Sequence, residues 1–264
     1  FHNSDKLTEL IIPDSVTSIG DTAIRGLNAI KEIVVGDGVT SIANFGICDC
    51  PSLETLVLGA NLASIGQYGI AWNEGIKELT VPNQSVKENY SWNADLNPEI
   101  VKVRKDATSI NQAFLDCSKT TAFEVIDAYD ETAEVNYKAD EAGVLYSADG
   151  KEILRYPRAK EAAEYAVADG TEVMRNNAFK EVKLEKVTLP EGLTNISNEA
   201  FHNSDKLTEL IIPDSVTSIG NSAFAGNEHL TALTIGDGVV TIGEDAFTGC
   251  GIYLFDHGCS VPVI

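Results

Sequence analysis

The side chains best suited to chemistry in this chain are five cysteines and four histidines. None of them shows the Cys-x-x-Cys or His-x-x-x-His spacing that is typical of a zinc site. Cys50, Cys117 and Cys250 each follow a large apolar residue by three positions, so we interpret them as one recurring, buried position. Cys48 is too close to Cys50 for an ordinary disulfide bond. A bridge between Cys250 and Cys259 stays open as an alternative.

The sequence contains no recognisable catalytic motif. His257 and Cys259 lie close in sequence, but closeness in sequence does not make a catalytic dyad. The segments Gly36–Gly38 and Gly236–Gly238 lack the glycine and lysine that follow in a phosphate-binding loop. We therefore predict that the chain is not an enzyme and has neither catalytic residues nor a cofactor site.

Acidic residues crowd one segment in the middle of the chain, at Asp127, Asp130, Glu131, Glu134, Asp140 and Glu141. They lack the spacing of an EF-hand loop, so a solvated acidic loop is the expected structure and a calcium site is the alternative. We predict no metal site.

The charge balance excludes several classes of partner. The chain has 19 lysines and arginines against 40 aspartates and glutamates, which gives a net charge of −21. Because a phosphate backbone would be repelled, we expect no nucleic-acid binding. The sequence lacks a run of roughly 18 apolar residues, so no membrane span is expected. The acidity favours solubility, and as the alternative it favours a basic protein partner.

The chain is built from repeats. Residues Phe1–Gly20 recur letter for letter at 201–220, and looser copies fill most of the remaining sequence. A proline or glycine recurs every 23 residues in two series, which are Pro13, Gly36, Gly59 and Pro82, and then Pro190, Pro213 and Gly236. A unit this short cannot bury its own apolar face, so neighbouring units must stack into a continuous core.

Each repeat carries the same apolar pattern. Alternating residues before the proline or glycine, such as Leu10 and Ile12, predict a strand with one buried face. A pair three and six residues after it, such as Val16 and Ile19, predicts a second short strand on the opposite wall. A small residue followed by a large apolar one, such as Phe224, closes the coil, because only a small side chain lets the turn approach the core.

Two segments depart from this period. Residues from about 83 to 105 lose the pattern, and we interpret them as a degenerate coil. Residues from about 120 to 165 are predicted to form a β-hairpin insertion, in which Asp149 and Gly150 supply the positive φ angles of a tight turn. Because the period resumes afterwards, we predict a single solenoid over 1–264.

The repeat Leu207-x-x-Leu210-x-Ile212-Pro213-x-x-Val216-x-x-Ile219-Gly220-x-x-Ala223-Phe224 resembles the repeat of BspA-like, or treponemal-type, leucine-rich-repeat proteins of bacterial surfaces. The Gly-Val-Leu-Tyr-Ser segment beginning at Gly143 also resembles an element of these proteins. The resemblance implies an extracellular or cell-surface protein that works by adhesion or protein binding. It carries over no catalytic residues.

We therefore predict a β-rich leucine-rich-repeat solenoid. Its coils of about 23 residues form a right-handed superhelix with a parallel sheet on one wall and short turns or single-turn helices elsewhere. In the first four repeats the outward positions of the main strand are predicted to form a protein-binding face, and they are Glu9, Ile11, Glu32, Val34, Thr55, Val57, Glu78 and Thr80.

Two other functions stay open. The repeats could serve as a passive structural spacer. They could also be the repeat region of a larger enzyme with its catalytic domain upstream, because the chain opens in the middle of a repeat and an upstream segment is expected.

Overall fold

The computed structural model describes residues 1, 4, 6–88, 93, 95–128 and 132–252, with Glu88 described by its backbone alone. The chain divides into two compact units, Phe1–Lys160 and Glu161–Ile264. A single array over 1–264 stays a prediction.

The first unit is built on a parallel main sheet. Its strands follow the repeat period because each coil contributes one strand, which pairs with the strand of the next coil. The strands are β1 (Glu9–Ile12), β4 (Glu32–Val35), β7 (Thr55–Val57), β9 (Glu78–Thr80), β11 (Ile100–Arg104) and β12 (Ala122–Ile126). Their register is in phase, so Leu10 pairs with Ile33, and Ile33 pairs with Leu56. The alternating side chains of β1 and β4 point into the core as the sequence predicts.

A second, shorter parallel sheet covers another wall of the same coils, as the second apolar pair of each repeat predicts. Its strands are β2 (Ser18–Ile19), β5 (Ser41–Ile42), β8 (Ser64–Ile65) and β10 (Lys87–Glu88). Two closing segments, β3 (Ile24–Arg25) and β6 (Ile47–Cys48), pair in parallel on the remaining wall. The helix α1 (Gln112–Leu115) is a single turn.

Aspartates tie neighbouring coils together at the turn after the main strand. The backbone N–H of Asp37 donates to Asp14 Oδ1 at 2.8 Å, and the N–H of Ala60 donates to Asp37 Oδ1 at 2.6 Å. A Cβ atom on Gly38 would lie 1.8 Å from the Asp14 carbonyl oxygen. The coils can therefore stack this closely only because the turn carries glycine at that position.

The closing turn of most coils places two residues at positive φ, a region that favours glycine, asparagine and aspartate. The first of these positions is occupied by Thr22, Phe45, Tyr68, Asn177, Glu199, Ser222 and Asp245. The second is occupied by Gly26, Asp49, Trp72, Asp95, Glu181, Asn203, Gly226 and Gly249. Aromatic residues take these positions only in the coils of Phe45, Tyr68 and Trp72, among the residues that the structure describes.

The two irregular segments continue the first unit. The interval interpreted as a degenerate coil holds β10 and β11, and β11 pairs with β9 and β12 in the main sheet. The insertion holds the antiparallel strands β13 (Tyr137–Ala139), β14 (Leu145–Ser147) and β15 (Glu152–Arg155). The antiparallel pairing of β14 and β15 agrees with the predicted hairpin, and the bounds of the insertion stay a prediction.

The predicted hairpin turn was wrong in one respect. Only Gly150 has positive φ, at 78°, whereas Asp149 does not. Asp149 instead stabilises the turn with its side chain, because its Oδ1 accepts hydrogen bonds from Ser147 Oγ at 2.6 Å and from the Lys151 N–H at 2.9 Å.

The second unit repeats the two-sheet arrangement of the first. One parallel sheet comprises β16 (Glu164–Ala166), β18 (Lys186–Thr188), β20 (Glu209–Ile212) and β22 (Ala232–Ile235). The other comprises β17 (Val173–Met174), β19 (Asn195–Ile196), β21 (Ser218–Ile219) and β23 (Thr241–Ile242).

A column of phenylalanines stacks through the interior of the second unit. The ring centroids of Phe179, Phe201, Phe224 and Phe247 follow one another at 5.0, 5.1 and 5.2 Å. The column arises because the large closing residue recurs at the same place in each coil. No helix in the described parts of the chain is long and apolar enough to cross a membrane.

Candidate functional site

The register of the main sheet brings the eight predicted residues together on the outer face of the first unit. They form two parallel rows, one residue per strand in each row. The first, which we name the acidic row, holds Glu9, Glu32, Thr55 and Glu78. The second, which we name the apolar row, holds Ile11, Val34, Val57 and Thr80.

The apolar row is open to solvent over its first three coils. Ile11 is 62% exposed, and Val34 and Val57 are half-buried. These three side chains occupy consecutive strands about 4.8 Å apart, so they form one continuous apolar strip. Natural proteins use exposed apolar strips of this kind as contact surfaces.

Thr80 does not extend this strip, which corrects its predicted role. It points to the same face, yet it is only 5% exposed. Lys102 pairs with Thr80 in the next strand. Its side chain extends back toward the coil of Thr80, where it contacts Glu78. The side chain of Arg104 also extends over this region, where it donates hydrogen bonds to the carbonyl oxygens of Val81 and Leu58.

The acidic row changes character along its length. The carboxylate of Glu78 lies 2.6 Å from Lys102 Nζ, which also lies 3.9 Å from Glu124. Glu9 and Glu32 form no salt bridge with any residue that the structure describes. The negative charge available to a partner therefore concentrates beside Ile11 and Val34.

A row of paired charges borders the acidic row at the start of the strands. Glu54 accepts hydrogen bonds from Lys31 Nζ at 2.5 Å and from Lys77 Nζ at 2.9 Å. These two lysines lower the pKa of Glu54 to about 2. The opposite charges of this border row thus largely neutralise one another.

Arg104, in the fifth strand of the main sheet, marks the end of the exposed face. This role was not predicted from the sequence. Its Nη1 donates to the Val81 carbonyl oxygen at 2.9 Å and its Nη2 to the Leu58 carbonyl oxygen at 3.1 Å, while Asp37 lies 4.0 Å away. Burial lowers the pKa of Arg104. One signal could have revealed it: Arg104 stands where earlier repeats have proline or glycine, as at Pro82.

The second unit repeats the Glu-Leu-Ile-Ile sequence of β1 in β20, but the surrounding residues differ. Ile211 is 69% exposed on the outer face, like Ile11 in the first unit. Its equivalents in the neighbouring repeats are Thr188 and Thr234, so its apolar surface is isolated. Glu209 is paired with Lys186 at 3.2 Å. Among the described residues, the combination of an apolar strip with carboxylates that form no salt bridge is therefore found in the first unit.

Cys50, Cys117 and Cys250 lie in the segments that follow the large closing residue, as predicted, whereas Cys48 lies in β6. Cys48, Cys50 and Cys117 are buried and Cys250 is half-buried, and no disulfide bond joins any two of these four. Burial raises the pKa of Cys48 to about 11 and that of Cys117 to about 12, so both stay protonated near neutral pH. Cys259 and His257 lie outside the described residues, and the pairing of Cys250 with Cys259 stays open.

The residue at the position of Cys50 is buried and links neighbouring coils. Asn73 occupies it in the next coil, where its Nδ2 donates to the carbonyl oxygens of Ile47 at 2.9 Å and Ile70 at 3.0 Å. Its Oδ1 accepts from the Cys50 N–H at 3.1 Å. A structural role at this position is therefore confirmed.

The acidic segment offers no assembled metal site in its described part. Asp130 and Glu131 lie outside the described residues, and Asp127 lies 3.2 Å from Lys105 Nζ. Within the described residues, no group of three or more histidine, cysteine, aspartate or glutamate side chains could hold a metal ion.

Comparison with known proteins supports the repeat architecture. A family model described as a BspA type leucine rich repeat region, with six copies, matches residues 1–121 and 161–264. None of the curated proteins matches the chain.

Several solved structures are similar to this chain. The pneumococcal vaccine antigen PcpA is 20% identical with a TM-score of 0.52, over 90% of this chain and 66% of PcpA. This chain thus spans less than two thirds of PcpA. A leucine-rich repeat protein from Eubacterium ventriosum is 18% identical with a TM-score of 0.49, over 98% of this chain and 87% of that protein. A leucine rich cell surface protein from Faecalibacterium prausnitzii is 20% identical with a TM-score of 0.44, over 92% of this chain and 77% of that protein.

Proposed function

Because the chain belongs to the BspA type leucine-rich-repeat family, we propose that it is a non-enzymatic module that binds a protein partner at the bacterial cell exterior. The contact surface is the outer face of the main sheet in the first unit. One observation carries this assignment: the continuous apolar strip of Ile11, Val34 and Val57 lies directly beside the unpaired carboxylates of Glu9 and Glu32.

The exposed apolar residues of the first unit favour a protein partner because they are continuous. β-Branched residues favour strands, so a single exposed isoleucine such as Ile211 needs no functional explanation. Three such residues in consecutive strands expose an unbroken apolar area that water solvates poorly. Covering this strip contributes favourable free energy to binding, while the isolated Ile211 offers much less area.

The carboxylates define the chemistry of the partner. A complementary surface presents an apolar ridge flanked by lysine or arginine, which meets Glu9 and Glu32 across the interface. The net charge of −21 steers such a basic partner toward the chain. Adhesion, as in the proteins that this repeat resembles, is the cellular role that fits such a surface.

The test compares two variants that make similar changes to the two units. The first carries Glu9→Lys, Glu32→Lys, Val34→Ser and Val57→Ser, and the control carries Glu209→Lys and Ile211→Ser. Each is titrated beside wild type against a panel of purified matrix and bacterial surface proteins by biolayer interferometry, after circular dichroism has confirmed folding.

We expect the first variant to lose at least tenfold in affinity for a partner of wild type, which corresponds to about 1.4 kcal/mol. The control should bind like wild type. If the first variant also binds every partner unchanged, the outer face is not the contact surface. If wild type binds no protein of the panel, the passive spacer is the better interpretation.

A further inference from the structure

Three aromatic side chains of the first unit form a cluster on the closing turns, away from the main sheet. We name Phe45, Tyr68 and Trp72 the aromatic cluster. The ring centroids of Tyr68 and Trp72 lie 4.8 Å apart, those of Phe45 and Tyr68 5.5 Å, and those of Phe45 and Trp72 5.9 Å. The ring of Trp72 stacks with those of Tyr68 and Phe45 at interplanar angles of 20° and 25°, while Phe45 and Tyr68 are tilted by 33°.

The backbone at the cluster is unusual for aromatic residues. Phe45, Tyr68 and Trp72 all have positive φ, between 53° and 55°. Equivalent turns place Asn177 and Asn203 there, which suit this conformation better. Thr22 and Glu199 occupy the equivalent position in other coils, so the positive φ belongs to the repeat itself, and the fold does not require aromatic residues there.

Core packing does not explain the cluster either. The interior of the same coils is filled by Ile47 and Ile70, which are fully buried. The three rings of the cluster are only half-buried, so part of the stack faces solvent. The phenylalanine column of the second unit shows the contrasting case, because Phe179 and Phe201 are stacked and fully buried.

The charges on the closing turns around the cluster are mainly negative. Asp49 occupies the position of Trp72 in the preceding coil, and its side chain is 57% exposed. Glu74, two residues after Trp72, is exposed as well. The basic group on this wall, Arg25, already lies 3.7 Å from Asp49. Aromatic faces attract cations, and nearby carboxylates strengthen that attraction.

We propose that the aromatic cluster is a second contact surface, which binds an arginine side chain of a basic protein segment by stacking of its guanidinium group. The planar guanidinium suits the flat face of an aromatic ring better than the compact ammonium of lysine, and its N–H groups pair well with carboxylates such as those of Asp49 and Glu74 on the neighbouring turns. This surface is separate from the outer face of the main sheet, so its test does not depend on the function proposed above.

The experiment titrates three blocked peptides into the whole chain by calorimetry in low-salt buffer. The peptides alternate glycine with arginine, with lysine or with citrulline, which keeps the shape of arginine but is neutral. The test variants are Tyr68→Asn and Trp72→Asn, which place at each position a residue found at the equivalent position of another coil. They keep the net charge of wild type, so a general attraction of basic peptides to an acidic protein is unaffected.

We expect the arginine peptide to bind wild type at least tenfold more tightly than the citrulline peptide, and more tightly than the lysine peptide. Each asparagine variant should weaken the arginine peptide at least tenfold, while Trp72→Phe should restore most of the affinity. The control Ile11→Ser, on the main sheet, should leave it unchanged.

Three results would overturn the proposal. The first is equal binding of the arginine peptide to wild type and to Trp72→Asn, with both folded by circular dichroism. The second is the absence of measurable binding to wild type at millimolar peptide. The third is displacement of the peptide by a neutral oligosaccharide such as maltohexaose, which would assign the rings to sugar stacking.

Discussion

Truncation of one core leucine in the second unit should test how the coils are held together. Leu210 lies in β20, is 1% exposed and pairs in register with Leu233 of the next strand. Leu210→Ala removes most of a buried side chain, and the parallel ladder on either side keeps the backbone from collapsing into the space. Core changes of this type cost about 2–5 kcal/mol, and we expect about 3 kcal/mol here.

The matched control is the next residue along the same strand. Ile211 is 69% exposed, so Ile211→Ala creates no cavity. We expect it to cost less than about 1 kcal/mol, which is the span of strand propensity. Because about 1 kcal/mol shifts Tm by roughly 2–4 °C in a chain of this size, Leu210→Ala should melt about 6–12 °C below wild type.

Differential scanning calorimetry gives the two melting temperatures, and urea titration gives the midpoints independently. Since repeat arrays can melt in more than one step, the comparison uses the transition that Leu210→Ala moves. Equal shifts for the two variants would refute the inward and outward assignment of this strand.

Three further predictions concern buried or paired polar groups. Cys48, Cys50 and Cys117 should alkylate far more slowly in the native chain than after denaturation, as mass spectrometry can show, because burial raises the pKa of each thiol. Glu54→Gln should flatten the acid unfolding curve between pH 4.5 and about 2, because the lowered pKa of Glu54 gives stability above pH 4.5 that is lost as the pH falls. Arg104→Met should cost about 1–3 kcal/mol in urea titrations, because two carbonyl oxygens lose their donor.

Each of these predictions has a clear contrary result. Native alkylation of all three thiols as fast as in denaturant would show that the turns open readily. An unchanged acid curve for Glu54→Gln would mean that its lysine contacts do not persist in solution. A loss for Arg104→Met no larger than that for Lys102→Met, a change at a more exposed position of the same strand, would mean that the guanidinium contacts contribute little.

The architecture could be predicted from the sequence because it is periodic. The 23-residue spacing places Leu10, Ile33 and Leu56 at the same point of successive coils, so their pairing in the sheet follows from counting. The outward positions of Ile11, Val34 and Val57 follow from the alternation of a strand. The buried turn of Cys50 follows from its recurring position.

Features that do not follow the 23-residue period could be established only from the tertiary structure. The hairpin was visible in the sequence, but the conformation of Asp149 depends on the two hydrogen bonds that its carboxylate accepts. Thr80 has the right position to be exposed, yet Lys102 and Arg104 of the following strand lie back over its coil. Long side chains choose such contacts by local geometry, which strand alternation does not encode.

The sequence by itself therefore determined the coil, its register and the face that each strand residue occupies, because these follow from short-range alternation repeated at a constant interval. Only the tertiary structure decided which of those positions stay open, which carboxylates are neutralised and that Phe45, Tyr68 and Trp72 form a cluster. These outcomes depend on contacts between side chains of different coils and on a strained turn conformation. Such contacts are formed only when the coils are already stacked.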